Sequence, residues 1–249
     1  MSDDANKAGE LIEVTRADGW AILRIARENK RNAMDRATRT AMMKALHDLR
    51  DVSVVIVTGT GGSFCAGLDL KERKLDRQQG IDTAPQEWID LNLAIRSHPA
   101  IFIAAVNGVA LGGGSTLINV CDLAVASSDA SIGCPEMTFA TYPGMAGPAA
   151  QLSGITRKRA AWMILTANRI DAATAERWGM VNEVVAPERL LDRAKEIAVQ
   201  LAGYDRVALA ESKQALDAIP GRITEWSEAM DYGQIVNRTI RQKLAQQKD

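Results

Sequence analysis

Twice in this chain a short β-branched run leads straight into glycine. Val52–Thr58 ends in Gly59-Thr60-Gly61-Gly62-Ser63, and Ile101–Val106 ends in Asn107-Gly108, with Gly112-Gly113-Gly114 a few residues on. Continuous apolar strands of this length read as buried on both faces, the signature of a parallel sheet covered by helices. The intervening segments supply the helices. Over Asp35–Leu49, residues Met42, Leu46 and Leu49 recur at i, i+4, i+7. Pro85 opens a second helix carrying Trp88, Leu91 and Ile95, and Pro99 stops it. Leu123–Ala126 is a third short strand, and Leu11–Arg16 and Trp20–Ala26 flank the hairpin signal Ala17-Asp18-Gly19. The spacing predicts an α/β fold whose loops gather at the C-terminal ends of the strands.

Beyond about residue 145 the pattern turns helical: Ala146–Ser153, Lys158–Thr166, Ala172–Trp178, Glu188–Leu201, Val207–Ile219 and Glu225–Leu244, with Val181–Val185 a brief strand. The expected organisation is a disordered tail over residues 1–10, a core over 11–200, and a helical lid or oligomer interface over 201–249. Thirty Lys+Arg against 31 Asp+Glu leave a net charge of −1, so nothing global draws the chain to nucleic acid or an anionic membrane. The only basic cluster, Arg157-Lys158-Arg159, reads as a solvated helix start. Three cysteines without a CxxC pair encode neither a disulfide framework nor a zinc site. The acidic, polar start is unlike a signal peptide, and the expectation is a cytoplasmic protein.

Glycine-rich turns after buried strands aim backbone N–H groups at negative charge. The stretch from Gly108 to Ser115 has P-loop spacing, but Gly114 stands where the phosphate lysine is required, and no G-x-G-x-x-G follows the first strands. An oxyanion hole remains, and it needs an acid or base. His47 reads as a surface residue, and His98, before Pro99, as a helix cap or surface group. No G-x-S-x-G elbow places either beside Ser63 or Ser115. Glu136 is the one acid within Ala130–Gln151, where partial desolvation would raise its pKa into a range useful for proton transfer. A glutamate stabilising a helix start is the other reading of that position.

Several segments together resemble the crotonase (enoyl-CoA hydratase/isomerase) family. Phe64-Cys65-Ala66-Gly67-Leu68-Asp69-Leu70-Lys71-Glu72 is similar to F-x-A-G-x-D-[LI]-K-E, and Ala105–Gly114 to A-x-x-G-x-x-x-G-G-G. Lys30-Arg31-Asn32-Ala33-Met34 resembles the family's acyl-CoA loop, and Gly133–Glu136, Tyr142-Pro143-Gly144 and Ala175–Val185 match further along. The resemblance runs from about residue 11 to 215 in order. It implies a spiral of ββα units with a helical C-terminal region, assembled as a homotrimer or dimer of trimers. It further implies an acyl-CoA thioester as ligand, CoA carried by the substrate, and no other cofactor or metal. By position, the amides of Leu68 and Gly113 would hold the thioester oxygen as it becomes an enolate. Lys30, Arg31, Asn32, Ala33, Ala66, Asp69, Leu70 and Lys71 would line the CoA channel.

One departure bears on the reaction. Hydratases of the family use two glutamates; Glu136 matches the second, but Thr116 stands where the first belongs. Threonine can hold a water yet cannot serve as a base at neutral pH. The resemblance therefore implies enoyl-CoA hydratase/isomerase chemistry with Glu136 as the single acid/base. Alternatives are a hydroxycinnamoyl-CoA hydratase-lyase-like route with a phenol, Tyr142 or Tyr232, or a non-catalytic acyl-CoA-binding protein.

Overall fold

The computed structural model describes residues 11–246, so the expected tail over residues 1–10 lies outside the described residues. The expected hairpin forms: β1 (Ile12–Arg16) pairs antiparallel with β2 (Trp20–Ile25), and Gly19 takes a positive φ of 74° at the turn. Asp35 then caps α1 (Arg36–Asp48), accepting from the Thr38 amide at 2.9 Å. Next follow β3 (Val54–Gly59), β4 (Ser63–Cys65), α2 (Leu70–Gln78) and α3 (Ala84–Ser97). The pattern repeats as β5 (Ile101–Val106), β6 (Val109–Leu111) and α4 (Gly113–Val120), and again as β7 (Leu123–Ser127) and β8 (Ser131–Gly133). The chain continues through α5 (Ala146–Leu152), α6 (Arg157–Thr166), β9 (Ile170–Asp171), α7 (Ala172–Trp178), β10 (Glu183–Val185), α8 (Leu190–Ala202), α9 (Arg206–Arg222) and α10 (Trp226–Gln246).

Each repeat places its long strand in a six-stranded sheet, ordered β1-β2-β3-β5-β7-β10, and its short strand in a four-stranded sheet, β4-β6-β8-β9. Apart from the two antiparallel edge pairs, β1–β2 and β8–β9, all pairings are parallel. This is the expected spiral of ββα units. It explains the unbroken apolar strands: Val55 and Val57 face one core cluster, while Val54 and Ile56 face another roofed by Leu190, Ala194 and Ala198 of α8. Burying both faces leaves no polar side to alternate with.

One helix is absent from the sequence expectation, and the last one forms where it was expected. The span Leu70–Gln78 was not foreseen as helix, because LKERKLDRQ has almost no apolar stripe; Asp69 starts it by accepting from the amides of Lys71 and Glu72. The last helix, α10, buries no residue, packs mainly on α9, and leaves Trp226 and Met230 exposed. Helix α9 is tied to the core by Lys213, which is 3% exposed. Its Nζ donates to the Ile95 and Ala100 carbonyls and meets Asp122 at 3.0 Å. No helix among the described residues is long and apolar enough to cross a membrane.

Candidate active site

Two loops meet at the C-terminal ends of the short strands β4 and β6. The first follows β4 and is zipped to the segment after β2: the Ala66 amide donates to Arg31 O, Met34 to Gly67 O, and Asp69 to Met34 O. Asn32 is fully buried, with a positive φ of 56°. Its Nδ2 donates to Ser63 O (2.7 Å) and Thr60 O (3.0 Å), and its Oδ1 accepts from the Arg27 amide. Both polar atoms of the Asn32 side chain are thus consumed by the scaffold, so the side chain has nothing left for CoA. Asp69 is equally committed, as the α2 cap and as partner of Arg27 at 2.7 Å. Burial pushes the Asp69 carboxyl up, but the Arg27 hydrogen bond, the Glu72 amide, the Arg27 charge and the Lys71 amide together hold it below the ordinary value. Lys30, Arg31, Leu70 and Lys71 are exposed, and Ala33 and Ala66 half-buried, along this rim.

The second loop opens α4. Gly67, at φ 85°, lies so close to Gly113 that a Cβ on Gly67 would sit 2.9 Å from the Gly113 nitrogen. A Cβ on Gly113 would meet Gly67 Cα and the Trp88 ring at 3.1 Å, so only glycine lets the two strand-to-helix turns touch. Neither the Leu68 nor the Gly113 amide donates to a backbone carbonyl across these turns. The Gly113 amide also belongs to the first turn of α4, whose donors are free and whose dipole end is positive. The sequence-predicted oxyanion pair therefore lies on two adjoining turns.

Glu136 follows β8 in a short 3-10 turn, Pro135–Phe139. Its Oε1 stands 2.6 Å from where a Cβ on Gly112 would be, next to the oxyanion turn. Its Oε2 is buried and has no partner among the described residues. Burial pushes this carboxyl above the ordinary glutamate value, offset in part by its own backbone amide. Thr116 is 3% exposed, one turn into α4, and donates to Gly112 O at 3.3 Å. No acid joins it: the buried helix face carries Ser115, Leu117 and Ile118. Burial pushes the Cys65 and Cys134 thiols nearby up to about 12, which keeps both protonated and poor nucleophiles.

The enoyl-CoA hydratase/isomerase family profile matches residues 15–238. The chain belongs to this family. A probable enoyl-CoA hydratase of Rhizobium meliloti is 36% identical over 76% of this chain and 73% of that protein. A probable mitochondrial enoyl-CoA hydratase of Dictyostelium discoideum is 37% identical over 71% of this chain, which spans 63% of that longer protein. Among solved structures, the enoyl-CoA hydratase from Bacillus anthracis superposes with a TM-score of 0.86 at 30% identity, covering 92% of this chain and 90% of that one. Membership of the crotonase family supports enoyl-CoA hydratase/isomerase-type activity on an acyl-CoA thioester.

Other expected residues fall elsewhere. Tyr142 is 55% exposed, with its hydroxyl against Gly147. Tyr232 lines a groove with His98, Lys213 and Arg222, between α3, α9 and α10, and Glu136 is not among the residues of that groove. His47 is exposed as expected. His98 corrects the reading of a surface group. It ends α3 but is 3% exposed, its Nε2 lies 2.9 Å from Leu46 O, and its Nδ1 accepts from the Ala100 amide. Burial lowers its pKa to about 4, so it is a neutral structural histidine. Arg157 and Lys158 are solvated at the start of α6, as expected, while Arg159 donates to Trp178 O.

Sequence reasoning passed over Asn92, and read Trp88 only as core. Trp88 is fully buried against Gly113, with its Nε1 partnerless, and Asn92 lies one turn further along α3. An i, i+4 pair on one helix face is visible in a sequence, but Asn92 sits between two leucines and carries no motif.

Proposed function

We propose that the chain holds an acyl-CoA thioester with its carbonyl oxygen between the Leu68 and Gly113 amides, and that Glu136 alone moves the protons. The observation that carries this reading is the partnerless, buried Glu136 carboxylate beside Gly112, with Thr116 in place of a second acid. As the carboxylate, Glu136 takes a proton from Cα of a 3-enoyl thioester; the electron pair passes to the carbonyl oxygen as a dienolate, which the two amides stabilise. One preorganised donor of this kind is worth ~3 kcal/mol of barrier. Glu136, now protonated, returns the proton at Cγ, and the double bond moves into conjugation. The raised pKa makes the Glu136 carboxylate a stronger base for the first half, and the carboxylic acid it becomes is still acidic enough beside a dienolate to return the proton at Cγ.

Hydration is the second reading, favoured by the relatives named as hydratases. Thr116 Oγ1 would then orient a water whose proton Glu136 handles. The CoA rim would draw its cations from Lys30, Arg31 and Lys71. CoA arrives with the substrate and no other cofactor is expected. Exposed Trp226, Met230 and Ile235 on α10 support a homotrimer or dimer of trimers, and a cytoplasmic setting fits the charge balance.

Mass spectrometry of 2-enoyl- and 3-enoyl-CoA esters incubated in H₂¹⁸O and, separately, in D₂O tests the assignment. Deuterium uptake with double-bond migration and no added oxygen is the expected result. Gain of labelled oxygen moves the function to hydration. Bound ester with neither change moves it to a binding protein.

A further inference from the structure

Beside Thr116 a cavity of about 790 Å³ opens between α3, α4, α5 and α9. Its wall is largely apolar, with Leu93, Val120, Met145 and Leu216, but Asn92 and Thr116 both face it. Helices α3 and α4 run side by side in the same direction. Trp88 touches Gly113, Asn92 shares the cavity with Thr116, and Arg96 Nη1 donates to Val120 O at 3.2 Å, each step one turn further from the oxyanion turn. Thr116 borders both the cavity and the site: it lines the cavity, and its hydroxyl is bonded to the carbonyl of Gly112, beside which Glu136 Oε1 stands.

Asn92 is 6% exposed, and its Nδ2 donates to Trp88 O at 2.7 Å, which fixes the plane of the amide. Its Oδ1 is buried without a partner. A wall built only for alkyl chain would carry leucine here, since a buried acceptor left unpaired is costly. The charges of this wall are already engaged: Arg96 pairs with Asp122 and Asp217, and Asp122 also with Lys213. An incoming carboxylate would find no uncommitted cation among these side chains, whereas an O–H group would find an idle acceptor.

We propose that Asn92 is a specificity-determining residue that selects, through Oδ1, an acyl group carrying a hydroxyl toward its far end. This rests on the acyl-CoA reading above. Asn92 stands one turn, ~6 Å, past the residue that touches Gly113, a reach that suits the end of a chain of about six carbons.

The test is calorimetric binding of 6-hydroxyhexanoyl-CoA, hexanoyl-CoA and 6-methoxyhexanoyl-CoA to the wild-type chain and to Asn92→Leu. A site built to bond a hydroxyl discriminates against the analogue lacking it. Wild type is expected to bind the hydroxy ester about 10-fold or more tighter than hexanoyl-CoA. The methoxy ester, with the oxygen but no donor, should bind no better than hexanoyl-CoA. In Asn92→Leu the preference should vanish while hexanoyl-CoA binding holds or improves. Equal wild-type affinities, a methoxy ester as tight as the hydroxy one, or a preference that survives in Asn92→Leu each overturn the proposal. Should Asn92→Leu not fold, the three wild-type affinities decide alone. Failure to bind any of the esters sinks the acyl-CoA reading itself, and this proposal with it.

Discussion

The two turns that meet at Gly67 and Gly113 are built on opposite principles. Around the first, the side chains of the turn are spent, Asn32 on Ser63, Thr60 and Arg27 and Asp69 on Arg27 and the α2 cap, while the Leu68 amide stays free and Arg73 Nε on α2 is buried unpaired. Around the second, Trp88 Nε1, Asn92 Oδ1, Ser115 Oγ and Glu136 Oε2 are buried without partners. Native proteins pair nearly all buried polar atoms, so a cluster of orphans marks where something else is meant to bind. In the proposed mechanism the first turn is scaffold that presents one amide, Leu68, to the thioester, and the second gathers the unpaired side chains and the proton transfer.

The sharpest way to break this contrast is Glu136→Gln, which keeps the shape and removes the base. Turnover should fall by ~10² or more with CoA-ester binding nearly unchanged. Steady-state kinetics beside calorimetric binding would check it, and a variant with full activity means the base lies elsewhere.

Asn32→Ala attacks the other wall and should do the reverse. Removing the side chain strands the Thr60 carbonyl and the Arg27 amide and leaves Ser63 O with Asn107 alone, at a cost of ~2–3 kcal/mol in stability. Activity per folded molecule should persist. Urea titration together with active-site titration separates the two, and a large loss of turnover in fully folded Asn32→Ala would merge the walls into one functional unit.

Trp88→Phe tests the border between them. The indole edge rests on Gly113, so trimming it should let the oxyanion amide drift; one donor at full strength is worth ~3 kcal/mol, and partial loss suggests roughly 10-fold in kcat. KM should stay level. The carbonyl stretch of a ¹³C=O-labelled thioester, lowered on binding to wild type, should move back toward its free value in the variant. An unchanged stretch would leave Trp88 as plain core.

How much of this contrast a sequence discloses depends on element length. Strands of five or six residues such as β3 and β5 declare themselves by unbroken β-branched runs, and α1 by its i, i+4, i+7 apolar positions. The three-residue strands β4, β6 and β8 are too short to show a period, so the second sheet was visible only through the family resemblance. Helix α2 is hidden because ion pairs hold it, Arg39–Glu72 and Arg36–Asp76, rather than an apolar stripe. Within the site, Glu136, Gly113 and Thr116 could be picked out because motif spacing points at them. Asn92 could not, since what distinguishes it is the absence of a partner, which only packing decides. His98 is the helix cap that its place before Pro99 suggests, but its burial was not legible, since it depends on one local bond, from the Ala100 amide, and one to the distant Leu46 carbonyl.

The walls also answer to pH with opposite sign. Asp69 is held below its ordinary value, so it adds stability above the unfolded-state pKa and loses it as pH falls through the folded one. Glu136 is held above, so its contribution is present at acid pH and lost as pH rises through the folded value. Compared with wild type at neutral pH, Asp69→Asn should therefore lower the melting temperature and Glu136→Gln raise it, with the second difference shrinking toward pH 4. A Glu136→Gln chain no more stable than wild type at pH 7 would contradict a desolvated carboxylate there.

The smallest expected effect lies at the exposed rim. Lys30 and Arg31 carry no ion pair among the described residues and project from a 3-10 turn whose backbone is fixed by the left-handed Arg31 and Asn32. If they meet the CoA phosphates, they do so through solvent-exposed charge, worth about 0.2–1 kcal/mol each. Lys30→Ala and Arg31→Ala should then raise KM only a few-fold, leave kcat alone, and lose their effect as salt is raised, because exposed pairs are screened within ~10 Å at 0.1 M. A salt-independent loss, or one that appears in kcat, would mean that side chains of the first wall, and not its Leu68 amide alone, take part in the chemistry, and that their internal bonding does not mark them as scaffold.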